Sequence, residues 1–121
     1  MKKSVLVAIV VANLAIVPSV FADAKNGEKL FNDKGAMKCT ICHAFGKKVV
    51  GPDLADVSKR HTPKWIVSWL TNTQATWTGG DPETADLQKR VNKVGKPKTA
   101  HATPPVSEAQ ATDIADFLMT K

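Results

Sequence analysis

Cysteine is nearly absent from this 121-residue chain: there are two, Cys39 and Cys42, with two residues between them. So close a pair closes a very small loop and does little to staple a domain. Long apolar runs are equally scarce. Val5 to Val17 comes nearest, is interrupted at Asn13, and is short for a membrane span. No stretch alternates convincingly as a strand, and no segment repeats. No carboxylate pair, nucleophile–base pair or phosphate-cradling glycine loop stands out. There is no polybasic arm either. The net charge of +6 is spread along the chain, which argues against nucleic-acid binding.

The apolar run is itself informative. Lys2 and Lys3 precede it, Pro18 and Ser19 end it, and Val20-Phe21-Ala22 follows with small or permissive residues. This is the layout of a secretory signal peptide over residues 1–22, with cleavage after Ala22 and a periplasmic mature chain. Retention as an N-terminal anchor is the alternative. One domain, residues 23–121, then remains. Losing residues 1–22 leaves 99 residues and removes two lysines and no acid, so the charge falls from +6 to +4. A mild positive field suits docking to acidic protein partners, and it is equally ordinary solubilising charge. A domain of that size has a thin core, and something besides its own side chains must fill the interior.

What fills it is indicated by Cys39-Thr40-Ile41-Cys42-His43. C-x-x-C-H is the attachment pattern of haem c. Two thiols on one helical turn reach two vinyl groups along one haem edge, and the next residue projects its imidazole towards the iron. His43 is therefore the proximal metal ligand, and Cys39 and Cys42 are the covalent anchors. A thioredoxin-like pair expects a βαβ setting that Gly35-Ala36-Met37-Lys38 and Ala44-Phe45-Gly46 do not supply. A structural zinc site needs four ligands, and this turn offers at most three. A plain disulfide leaves His43 without a role.

Start and stop signals predict helices around this turn. Asp23 can cap a helix running to about Asp33, with Leu30 and Phe31 towards a core. Thr62-Pro63 is a cap followed by a proline at the first helical position. Trp65, Ile66, Trp69 and Leu70 then make one apolar face. Asp81-Pro82 repeats the signal, Leu87, Val91 and Val94 follow at helical spacing, and Gly95 supplies a stop. Thr78-Gly79-Gly80-Asp81 reads as a turn. Ser107 and Gln110 form a capping box ahead of Ile114, Phe117 and Leu118.

Gly27-x-x-x-Phe31 before the haem motif, Gly51-Pro52-x-Leu54 after it, the Trp65 and Trp69 pair, and Ile114-x-x-Phe117-Leu118 at the end resemble the class I (mitochondrial-type) bacterial monohaem cytochromes c. The resemblance covers nearly all of residues 23–121. It implies an all-α fold: a small cytochrome c fold whose N- and C-terminal helices cross around a haem-filled core. Gly27 would permit close approach there, with Phe31 and Phe117 at the contact. It implies one covalent haem c and haem packing by Pro52, Leu54 and Trp69; Arg60 can pair with a propionate by a charge-assisted bond. Trp69 or Trp77 can also donate an indole N–H to a propionate, and Trp65 reads as packing. His61 reads as a surface or propionate-side residue.

One departure matters. The family's second iron ligand is a methionine in the loop before the last helix, and here that place reads His101-Ala102-Thr103-Pro104-Pro105, with Thr103 where the methionine is expected. Met37 lies beside the attachment turn, Met119 ends the last helix, and Met1 leaves with the signal. Three outcomes stay open: His101 binds the iron, the iron is five-coordinate, or Lys98 or Lys96 coordinates. Pro97 and Pro104-Pro105 stiffen the loop around His101.

The resemblance implies one-electron transfer, with no catalytic activity indicated. A gas-binding or sensing haem protein with an open distal face is a second reading, and a haem subunit of a larger periplasmic or membrane-associated electron-transfer complex a third. Lys89, Arg90, Lys93, Lys96 and Lys98 concentrate positive charge that is either a docking face or a solvated helix face.

Overall fold

The structure is a computed structural model that describes residues 20–121, with side chains from Ala24 onward. Residues 1–19 of the predicted signal segment lie outside the described residues, and the backbone of residues 20–22 is helical. The helices are α1 (Val20–Phe31), α2 (Cys39–Cys42), α3 (Pro63–Thr71), α4 (Thr73–Thr78), α5 (Pro82–Arg90) and α6 (Glu108–Leu118), with a 3-10 turn at Val57–Lys59. Among the described residues there is no strand, and His43 and Lys48 form an isolated bridge.

Three of the start signals act through hydrogen bonds. The Thr62 hydroxyl accepts from the Trp65 backbone N–H at 3.2 Å, with Pro63 at the first helical position. The Asp81 carboxylate accepts from the Thr84 N–H at 2.9 Å. Ser107 and Gln110 form the reciprocal box, at 3.2 and 3.0 Å. Each satisfies donors that a helix start leaves open, which typically contributes about 1 kcal/mol.

α1 crosses α6, and α3 packs on α6 and on α4. The crossing depends on Gly27: a Cβ there would stand 1.8 Å from the Asp113 carbonyl oxygen and 2.9 Å from the Phe117 Cβ. Phe31 and Phe117 meet beside it with ring centres 5.5 Å apart. Val57, Ile66, Ile114, Ala115 and Leu118 complete that cluster, with Leu54 and Trp65 against its edge.

Two local expectations are corrected, and one helix was not expected. Asp23 lies inside α1, which is already helical at Val20. The chain then turns at Asp33, whose carboxylate accepts the N–H groups of Gly35 and Ala36 at 2.7 and 3.1 Å. α5 ends at Arg90, not near Gly95, because Asn92 already takes the left-handed conformation (φ 54°). Asparagine tolerates that conformation better than most residues. Val94 is consequently 65% exposed, and the buried residue of α5 is Thr84, not Leu87 or Val91. Finally, α4 occupies a stretch with no sequence signal. Its threonines turn their hydroxyls back onto carbonyls one turn earlier: Thr73 to Trp69, Thr76 to Asn72 and Thr78 to Gln74, at 2.6, 2.9 and 3.1 Å.

Candidate functional site

α2 is a single turn carrying Thr40 and Ile41 between its two cysteines. Lys38 enters it in the left-handed conformation (φ 56°), and His43 leaves it extended, its N–H donating to the Cys39 carbonyl at 2.9 Å. The two thiols are half-buried and unbridged. Burial, chiefly, raises the Cys39 pKa.

The loop that follows holds the His43 ring. Gly51 donates to the Cys42 carbonyl at 2.7 Å and Leu54 to the Ala44 carbonyl at 3.0 Å. Asp53 ties the loop by accepting from Gly46 and Ala55, both at 2.8 Å, and these bonds lower its pKa. The Pro52 carbonyl lies 3.0 Å from His43 Nδ1. A carbonyl can only accept, so Nδ1 is the donor here and Nε2 is the nitrogen left for a metal. Gly51 is required here, because a Cβ would stand 2.5 Å from His43 Cε1.

His101 faces His43. The two ring centres are 6.0 Å apart, with 35° between the planes. Burial, and then the nearby His43, push the His101 pKa down to about 4, so the imidazole is neutral. The Trp69 ring flanks it at 5.2 Å. The loop bearing His101 is fastened to α4: the Trp77 indole donates to the Lys96 carbonyl at 2.8 Å, and the Gln74 side chain donates to Pro97 at 2.9 Å and accepts from Thr99 at 3.3 Å. The Thr103 hydroxyl meets His101 Nδ1 at 2.8 Å and the Thr73 hydroxyl at 2.7 Å. Lys96 and Lys98 are exposed members of the same loop.

Cys39, Cys42, His43, Pro52, Leu54, Trp69 and His101 thus belong to one region. Arg60 reaches its near side: Nη1 and Nη2 donate to the Ala55 and Asp53 carbonyls at 2.9 and 3.1 Å, while its buried Nε has no protein partner. Trp77 does not supply a free donor, since its indole is taken by Lys96. His61 is no surface residue. It is 7% exposed, stacks on Trp65 at 3.8 Å, donates from Nδ1 towards Glu83 and accepts at Nε2 from Arg90 at 2.8 Å. Its long-range partners Glu83 and Arg90 explain why sequence missed its burial. Arg90, bound also to Asp86 at 2.8 Å, is drawn out of the basic run. Sequence reasoning also missed Thr73 and Gln74, which carry no local signal.

The donor set suits a covalently held haem. It combines two free thiols on one turn, an imidazole whose Nδ1 is engaged by a carbonyl beside them, an indole wall and a buried unpartnered guanidinium N–H suited to a carboxylate. Among the described residues, no three His, Cys, Asp or Glu side chains gather as a bare-metal site. The groove lined by Thr62, Trp65, Asp81 and Glu83 contains neither cysteine nor either facing imidazole.

Residues 24–121 match the cytochrome c family. Cytochrome c-551 of Azotobacter vinelandii is 29% identical over 98 residues, covering 79% of this chain and 98% of that protein. A solved cytochrome c from Rhodothermus marinus superposes with a TM-score of 0.63 at 28% identity, over 91% of this chain and 86% of that one. An engineered form of the Rhodothermus protein, bound to a carbene intermediate, gives 0.61 at 27% identity over 91% and 87%. The chain belongs to the cytochrome c family, as a class I bacterial monohaem cytochrome that carries one covalent haem c and transfers electrons between redox partners.

Proposed function

We propose that this protein is an exported, periplasmic one-electron carrier whose haem is anchored by Cys39 and Cys42 and ligated by His43 and His101 rather than by a methionine. The observation that carries this reading is the facing pair of imidazoles, 6.0 Å between centres. A separation of this size would leave room for a metal held between the two imidazoles. The neutral state of His101 is the ligating form. The chain's missing loop methionine agrees with it, and the signal-like residues 1–22 support export.

Bound haem supplies a one-electron iron couple. The chain's residues do the rest. The α2 thiols fix the ring's position, and Pro52 and Gly51 set the His43 imidazole. Trp69 shields the His101 side. The Arg60 Nε is available to a haem carboxylate. Two ligands held this firmly leave little to rearrange when charge changes. Imidazole in place of thioether lowers the potential, since Met/His ligation raises it. The exposed Lys93, Lys96 and Lys98 put a mild positive field beside the His101 loop, suited to acidic partner proteins.

The test is potentiometry with the optical spectrum of the oxidised holoprotein. A low potential with no far-red methionine–iron band supports the proposal. A high potential with that band sinks it.

A further inference from the structure

Thr103 stands where the family's methionine is expected, and its hydroxyl is not idle. The contacts run Trp69 carbonyl, Thr73 hydroxyl, Thr103 hydroxyl, His101 Nδ1, at 2.6, 2.7 and 2.8 Å. Counting protons along this line settles every direction. The Trp69 carbonyl can only accept, so the single Thr73 proton goes to it. Thr73 can then only accept from Thr103, which uses the one Thr103 proton. Towards His101 the Thr103 oxygen therefore has only lone pairs to offer, so Nδ1 must carry the hydrogen. With Nδ1 engaged in this way, Nε2 is the ring nitrogen left to meet a metal. His43 reaches the same state by a different route, through the Pro52 carbonyl.

We infer that the Thr73–Thr103 hydroxyl pair is a positioning relay, anchored on the α3 carbonyl of Trp69, that holds His101 in the tautomer and orientation needed to present Nε2 to the iron. This inference rests on His101 being a ligand. Thr103 thus exchanges the family's ligand role for an orienting one, two residues from the new ligand. Hydrogen bonding from Nδ1–H to an oxygen also makes the imidazole a stronger donor. The relay therefore tightens the distal bond and favours ferric iron. The anchor lies at the α3–α4 junction, so the geometry of α4 is transmitted to the ligand through two side chains.

The experiment compares holoprotein of Thr103→Val, Thr73→Val and Thr103→Ser with His101→Ala. The readouts are ferric spin state, reduction potential and the rate at which carbon monoxide displaces the distal ligand from reduced protein. Thr103→Val should retain haem but release its distal ligand about 10- to 100-fold faster, the usual cost of losing an outer partner of a metal ligand. Its potential should move positive, and Thr103→Ser should restore both. Thr73→Val should act in the same direction more weakly, since it frees the Thr103 proton without removing the oxygen, and it carries the test if Thr103→Val fails to mature. Parent-like rates and potentials in Thr103→Val, or in Thr73→Val where it stands in, with His101→Ala high-spin, overturn the relay and leave ligation intact. A His101→Ala protein that keeps the parent's low-spin spectrum overturns ligation itself, and the relay with it.

Discussion

Gly27 and Asp113 touch backbone to backbone at the crossing of α1 and α6: a Cβ on Gly27 would lie 1.8 Å from the Asp113 carbonyl oxygen. Neither partner can swing aside, because both belong to helices. Gly27→Ala must push the helices apart and part the Phe31–Phe117 contact. The expected cost is about 3 kcal/mol, the upper range for overpacking. Denaturant titration of the holoprotein checks it, and a midpoint within error of the parent's would contradict the close crossing.

His61 should make the fold acid-sensitive. Burial chiefly, with Arg90 and Arg60 adding, lowers its pKa from 6.5, and Glu83 only partly opposes this. Its Nε2 accepts from Arg90, so a second ring proton would face a guanidinium. The unfolded chain takes that proton near 6.5 while the folded chain resists it. Stability from this group is thus complete above 6.5 and is lost as pH falls towards the lower folded pKa. Urea unfolding between about pH 7.5 and pH 5 should show a declining midpoint, with a shallower decline in His61→Gln. Equal slopes would exclude His61 as the source.

Gln74 ties the His101 loop to α4 at Pro97 and Thr99. Both contacts are exposed, so Gln74→Ala should cost no more than about 1 kcal/mol of stability. It should still loosen the loop, and faster displacement of the distal ligand by carbon monoxide is the expected readout. An unchanged rate would mean that the Trp77–Lys96 and Thr73–Thr103 contacts hold the loop without Gln74.

Moving the ligand should be possible within the same loop. The double variant His101→Ala, Thr103→Met returns a thioether to the family's position. A far-red methionine–iron band and a more positive potential are expected. A high-spin spectrum without the band would show that the loop's path here no longer brings position 103 to the iron.

What was legible in the sequence was local. The C-x-x-C-H turn and the Thr62-Pro63, Asp81-Pro82 and Ser107–Gln110 helix starts each depend on neighbours, whereas the Gly27, Phe31 and Phe117 crossing followed from the family resemblance. α4 was hidden because its threonines and tryptophan have modest helix propensity, and packing with hydroxyl–carbonyl bonds decides its conformation. The end of α5 was misplaced because Asn92 and Gly95 both accept a left-handed turn and the asparagine comes first. His61 needed Glu83 and Arg90, both far along the chain. The His101 loop was visible as a departure, but its fastening by Thr73, Gln74 and Trp77 is tertiary and leaves no local trace.

Ligation by both His43 and His101 is tested most directly by near-infrared magnetic circular dichroism of the ferric holoprotein, whose charge-transfer band position distinguishes a bis-histidine iron from a histidine–methionine or five-coordinate one. A bis-histidine band in the parent, lost in His101→Ala, is the predicted result. A high-spin five-coordinate signature in the parent, or a bis-histidine band that survives the substitution, would contradict it.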